Sequence, residues 1–130
     1  MVSLVVDTSA IVACLMKEQE RPAFMRLLTL AQRRVLSSVN LLEARIVLTG
    51  SKGLPREWVD EFIGNENIEI IPFDEALSDL AFDAYRRFGK GRHAARLNMG
   101  DCAAYALAKA RGWPLLYKGE DFALTDIERA

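Results

Sequence analysis

The sequence predicts an α/β fold with a parallel sheet covered on both faces by helices. Two observations carry that expectation. Short apolar runs of strand length alternate with longer segments of helical period, the pattern of βαβ units. One acidic residue sits directly after the first of these runs and another in the turn after the last, where the carboxyl edge of a parallel sheet collects functional groups.

The elements follow in order. Ser3–Val6 is a short apolar run ending at Asp7, as in a buried strand. Thr8 and Ser9 can cap the next helix, which reaches about Leu15. After the polar Lys17–Arg21, Pro22 opens an amphipathic helix with Phe24, Leu27, Leu28 and Leu30 on one stripe. Val35–Ser37 reads as a second strand, and Val39–Thr49 as a helix stopped by Gly50 and Gly53. Pro55 starts a helix to Gly64 that should bury Trp58, Val59, Phe62 and Ile63. Ile68–Ile71 is a third strand. A long helix follows from Asp74 or Glu75 to Phe88, with Ala76, Leu77, Leu80, Ala81, Ala84 and Tyr85 facing inward. Gly89–Gly91 breaks it. Asn98–Arg111 has a helical apolar set of Met99, Cys102, Ala103, Ala106, Leu107 and Ala110, with Gly112 as the terminating residue and Pro114 beyond. Leu115–Tyr117 is a fourth strand, Lys118–Asp121 a turn, and Phe122–Asp126 a helical turn.

The 130 residues suit a single domain, 1–130, and show no repeat, linker or low-complexity segment. A composition 51% hydrophobic and 27% charged is that of an ordinary folded chain. No apolar run approaches the roughly 18–20 residues a membrane span needs. The start lacks a basic leader region, so a cytoplasmic location is expected. Cys14 and Cys102 are isolated in apolar surroundings and read as buried, reduced thiols, which leaves no zinc site. Phosphate-binding glycine loops and a nucleophile elbow are absent. No second acid follows Asp7 at the spacing an aspartyl-phosphate phosphatase requires.

Four carboxylates stand out. Asp7 and Asp121 follow strands; Glu43 and Asp101 fall in what should be the first turns of helices that begin at the same sheet edge. Each has a local explanation. Asn40-x-x-Glu43 and Asn98-x-x-Asp101 have capping-box spacing, Asp7 can cap the first helix, and Asp121 suits a turn. Taken together, converging acids repel and need a cation, and all-oxygen ligands select Mg²⁺ or Mn²⁺. Such an ion activates water and screens a phosphate. A single histidine, His93, also disfavours a metal-free acid–base pair for phosphodiester cleavage.

The net charge of −1 speaks against a nucleic-acid binder, yet residues 84–100 contain no acid and hold Arg86, Arg87, Lys90, Arg92 and Arg96 around His93. That stretch is open between a solvated helix end and a phosphate-contacting surface.

Four segments in order, Val5-Val6-Asp7-Thr8-Ser9-Ala10, Leu41-Leu42-Glu43-Ala44, Leu97-Asn98-Met99-Gly100-Asp101-Cys102 and Leu116-Tyr117-Lys118-Gly119-Glu120-Asp121-Phe122, resemble a PIN domain. Arg87–Ala94 also resembles a loop of the VapC-type toxins within that family. The resemblance implies a three-layer α/β/α sandwich and a Mg²⁺- or Mn²⁺-dependent endoribonuclease, the toxin of a toxin–antitoxin pair. It also implies a homodimer silenced by a small antitoxin. Its acidic residues map onto Asp7, Glu43, Asp101 and Asp121; the expected division of labour is that Asp7, Asp101 and Asp121 hold the ion, directly or through water, while Glu43 orients or deprotonates the attacking water. Glu120 departs from the family's usual Asp or Asn and could join the site. Thr8, Ser9 and Asn98 are candidates to support it, and Arg86, Arg87, Lys90, Arg92, His93, Arg96 and Lys118 to grip RNA. A DNA nuclease of the same fold, or a non-catalytic binding module, are the competing readings. Phe24, Leu27 and Leu30 could form a dimer patch or simply face the core.

Overall fold

The structure, a computed structural model, describes residues 2–130. Four strands, β1 (Leu4–Val6), β2 (Arg34–Ser37), β3 (Ile68–Ile71) and β4 (Leu115–Leu116), form one all-parallel sheet in the order β3-β2-β1-β4. The chain steps outward from β1 to β3, then returns to place β4 on the other side of β1. The order therefore reverses between β1 and β4, and open α/β sheets bind ligands at the carboxyl ends of the strands at such a point. Beyond β4 the last residues pair as a short edge, with Leu115 N–H donating to Glu128 O and Ala130 N–H to Leu115 O, both at 2.9 Å.

Alternation along the strands builds two cores. Val5, Val35 and Leu115 point to one face, under α5 (Glu75–Phe88) and α6 (Met99–Arg111). Leu4, Val6, Leu36 and Leu116 point to the other, under α1 (Thr8–Leu15), α2 (Arg21–Leu30), α3 (Ser38–Arg45) and α4 (Glu57–Asn65). The result is the expected three-layer sandwich. Gly112 ends α6 at φ 67°, a left-handed turn that costs glycine least. Cys14 and Cys102 are free and buried, and burial pushes both thiols up to about 11, which keeps them protonated.

Some expectations shift. The Val39–Thr49 helix starts one residue earlier, and beyond Arg45 its backbone widens into a π-helical stretch, Ile46–Ser51. That widening carries the chain through Gly50 and keeps Leu48 in the core. Several residues assigned to the core face outward: Trp58, Leu80 and Tyr85 are about 40% exposed, and Met99 is 81% exposed. Ala76 and Ala110 are exposed as well. Helix α5 meets the sheet through a narrower stripe, Leu77, Ala84 and Phe88. The patch envisaged at Phe24, Leu27 and Leu30 belongs mostly to the core, since Phe24 and Leu27 pack beneath α2 and only Leu30 stands out.

Candidate active site

Asp7 ends β1 and caps α1 at once. Its Oδ2 accepts hydrogen bonds from Ser9 N–H at 3.0 Å and from the Ser9 hydroxyl at 2.6 Å. Its Oδ1 is buried and has no hydrogen-bond partner among the described residues. An ionised carboxylate in that setting is costly, and burial pushes the group up to about 7, with the charges of Asp101 and Glu43 acting in the same direction against the Ser9 bonds.

Asp101 enters from α6. It forms a complete capping box with Asn98: Asn98 Oδ1 accepts from Asp101 N–H at 2.9 Å, and Asp101 Oδ2 accepts from Asn98 N–H at 3.0 Å. Burial lifts its carboxyl to about 6; the Asn98 bond opposes the rise, and the charges of Glu43 and Asp121 add to it. Asp121 precedes a short 3₁₀ turn, Phe122–Leu124, and does not cap it, so its exposed carboxylate is left for other work. It is Asp121, rather than the equally exposed Glu120, whose charge is felt at Asp101.

Glu43 sits one turn deeper in α3 than the sequence suggests, because Ser37, not Asn40, caps that helix. The supposed capping box at Asn40 and Glu43 is therefore something else. Asn40 is fully buried, and its amide nitrogen lies 3.0 Å from Gly100 O, 3.2 Å from Thr8 Oγ1 and 3.4 Å from Glu43 Oε1. Gly100 lies against the Glu43 carboxylate so closely that a Cβ there would collide with its oxygens. Asn40 and Gly100 are site residues the sequence reading passed over. The available signal was a polar residue inside an otherwise apolar stretch, at a spacing that also fitted a cap.

The four acids thus share the carboxyl edge of the sheet. Among the described residues no three acidic, histidine or cysteine side chains stand together as a closed ligand cage. The residues nevertheless fit a hard divalent ion. Every donor is oxygen, Asp7 Oδ1 is orphaned, and Mg²⁺ characteristically keeps several waters while taking only one or two carboxylates.

The supporting candidates divide. Ser9 holds Asp7 and also accepts Lys118 N–H at 2.9 Å, which ties the exits of β1 and β4 together. The Thr8 hydroxyl turns inward, donating to Asn40 O at 3.2 Å and accepting from the Asn40 amide at 3.2 Å. Lys118 pairs with Glu18 at 3.1 Å and Glu20 at 3.3 Å and is not a free RNA contact. Arg87 lies over the Phe88 ring and pairs with Asp126 at 3.6 Å. His93 accepts Ala95 N–H through Nδ1 at 2.9 Å and meets Phe88 edge-on, so it shapes its loop. Arg86, Lys90, Arg92 and Arg96 remain exposed and form no ion pair among the described residues. Arg86 lies in the last turn of α5, and the loop that carries the other three is folded by Lys90 N–H donating to Leu97 O at 2.9 Å and Leu97 N–H to Phe88 O at 3.0 Å; it leads directly into α6.

Comparison with known proteins identifies the family and the fold. Residues 4–128 match the PIN domain family. The chain is 43% identical over 126 residues to a ribonuclease VapC of Mycolicibacterium smegmatis, covering 95% of this chain and 97% of that protein. It is 42% identical over 129 residues to ribonuclease VapC28 of Mycobacterium tuberculosis, covering 98% and 97%. Among solved structures, the Mycobacterium tuberculosis toxin VapC20, described as cleaving the sarcin–ricin loop, superimposes with a TM-score of 0.78 over 98% of both chains at 16% identity, a likeness of fold. The VapBC2 complex of Rickettsia felis, bound to a fragment of its promoter DNA, gives 0.72 at 17% identity, over 99% of this chain and 96% of that one. The chain belongs to the PIN-domain family, among the VapC ribonucleases.

Proposed function

We propose that this protein is a divalent-metal-dependent endoribonuclease, the toxin of a toxin–antitoxin pair, working through Asp7, Glu43, Asp101 and Asp121. One observation carries the reading: a buried, unpartnered carboxylate oxygen on Asp7, among acids whose charges raise one another. Asp7, Asp101 and Asp121 would hold Mg²⁺ or Mn²⁺, in part through water. When bound, the ion supplies a Lewis acid that lowers the pKa of water and neutralises a phosphate.

The protein's own residues do the rest. Ser9 fixes Asp7 by one oxygen and leaves the other without a hydrogen bond among the described residues. The capping box fixes Asp101 in the same way. Glu43, held beside Gly100, takes the proton of the attacking water. Arg86 in the last turn of α5, with Lys90, Arg92 and Arg96 on the loop ahead of α6, grips the RNA backbone.

Two partners are part of the proposal. A small antitoxin is supported by solved relatives that are toxin–antitoxin complexes. A second copy of the chain is supported by an apolar groove of about 450 Å³ between α3, α5 and α6, edged by Leu42, Phe82, Tyr85 and Met99.

The test is cleavage of matched RNA and DNA strands with Mg²⁺, with Mn²⁺ and with chelator. The parent should cut RNA only with metal. Asp7→Asn and Asp101→Asn should fold and not cut. A variant that cuts RNA at the parent rate removes its residue from the mechanism.

A further inference from the structure

Resting on the nuclease reading above, we propose that Asn40 is a positioning residue that sets where the Glu43 carboxylate stands relative to Asp7 and Asp101.

Burying an amide is unfavourable unless its hydrogen bonds are replaced. Asn40 is 0% exposed, and burial by itself gives no reason for an amide rather than an apolar side chain. Nor is it needed as a cap, since Ser37 performs that task. Its two amide hydrogens face three acceptors, and each belongs to an element that carries one of the acids. Thr8 Oγ1 lies on α1, which Asp7 caps; Glu43 Oε1 lies on α3; Gly100 O lies on α6, one residue before Asp101. The Asn40 backbone carbonyl accepts the Thr8 hydroxyl at 3.2 Å and closes the link to α1.

Glu43 is therefore confined from two sides. Asn40 donates to one oxygen, and the bare α-carbon of Gly100 leaves room for the carboxylate where any side chain would expel it. Asn40 Oδ1 is buried without a hydrogen-bond partner among the described residues, an arrangement that residues retained only for packing seldom show. The carboxamide thus acts as a spacer among three helix ends, and the spacing it keeps is that of the acids.

The experiment is a double-mutant cycle on the full-length protein, comparing the parent, Asn40→Ala, Glu43→Gln and the pair, with kcat and KM for one RNA substrate and a thermal melt of each. Asn40→Ala should lower kcat about 10- to 100-fold, the range typical of residues that orient a metal site's ligands, with KM changed less than about threefold. In the Glu43→Gln background the same change should cost less than about threefold, because the residue it positions is already disabled. Asn40→Asp, of the same shape without the donors, should lose as much as Asn40→Ala, and it decides the matter if the alanine variant does not fold. Gly100→Ala should lose kcat without a lower melting temperature, since alanine favours the helix.

Parent-like kcat in Asn40→Ala or Asn40→Asp overturns the proposal, as do losses that multiply in the double variant. If the parent cuts RNA and Asp7→Asn does not, such a result removes only the role of Asn40. If the parent itself cuts no RNA with either metal, the nuclease reading has failed and this inference falls with it.

Discussion

Removing the buried charge at Asp7 should stabilise the metal-free protein while destroying its activity. Burial raises the Asp7 carboxyl from its ordinary 3.8 to about 7. The folded state therefore binds that proton more tightly than the unfolded state does, and stability falls as pH rises from about 4 through 7. At about 1.4 kcal/mol per pH unit, the shift amounts to about 4 kcal/mol at pH 8 and less than about 1 kcal/mol at pH 4. Asp7→Asn keeps a cap acceptor for Ser9 N–H and carries no charge, so it escapes this penalty. In chelator at pH 8 the variant should melt on the order of 10 °C above the parent, and the gap should close toward pH 4. Asp101, raised to about 6, tilts both curves in the same direction and does not create the gap. Added Mg²⁺ or Mn²⁺ should raise the parent's melting temperature more than the variant's. Parallel melting curves from pH 4 to 8, or a variant less stable than the parent at pH 8, would refute the claim that Asp7 is strained by an uncompensated buried charge.

The exposed cations should govern RNA affinity. Changing Lys90, Arg92 or Arg96 to Glu should raise KM with an unchanged melt and make the salt dependence of binding shallower by about one counter-ion for each phosphate no longer neutralised, and an unaltered slope would take the loop out of the RNA interface. Asp126 has the opposite pH sign to Asp7. Partial burial opposes its ionisation, but hydrogen bonds from Lys109 and Tyr105 prevail and bring it down to about 2. Its stabilisation is present above about pH 4 and lost as pH falls toward 2. Because the side chain is 41% exposed and screened, Asp126→Ala should cost only about 1 kcal/mol in urea unfolding at pH 7. On the outer face, Leu42→Glu with Phe82→Glu should give a monomer in sedimentation if the apolar groove seats a second copy, whereas an unchanged mass would place any dimer elsewhere.

The layering was legible because it depends on strand-length apolar runs and helical periods, which are local. Even the two-sided burial of the sheet could be read, since Leu4, Val5 and Val6 are all apolar and a strand with one solvated face would alternate. The exposure of Met99, Tyr85 and Leu80 could not be read. Periodicity marks an apolar stripe but not its partner, and α5 turns only part of its stripe to the sheet while the rest borders the groove. The basic loop shows the same limit. Composition marked its charges, but only three-dimensional neighbours show that Arg87 beside it is already paired, while Lys90, Arg92 and Arg96 form no ion pair among the described residues.

The acids were harder to judge, because at Asp7 and Asp101 the local explanation holds and still leaves one oxygen uncommitted to the cap, as the proposed ligand role requires. Asp7 does cap α1 and Asp101 does complete a capping box, yet each commits only one oxygen to the helix. A helix start needs one acceptor and a carboxylate has two. A strand-to-helix junction can therefore fix an acid's orientation with one oxygen and present the other to a metal. That division explains why spacing alone could not choose between cap and ligand at Asp7 and Asp101. At Glu43 the local explanation failed outright, because the helix already had its cap at Ser37. An acid without a local task, pressed against a glycine and met by a buried amide, is the one whose placement the rest of the fold must supply.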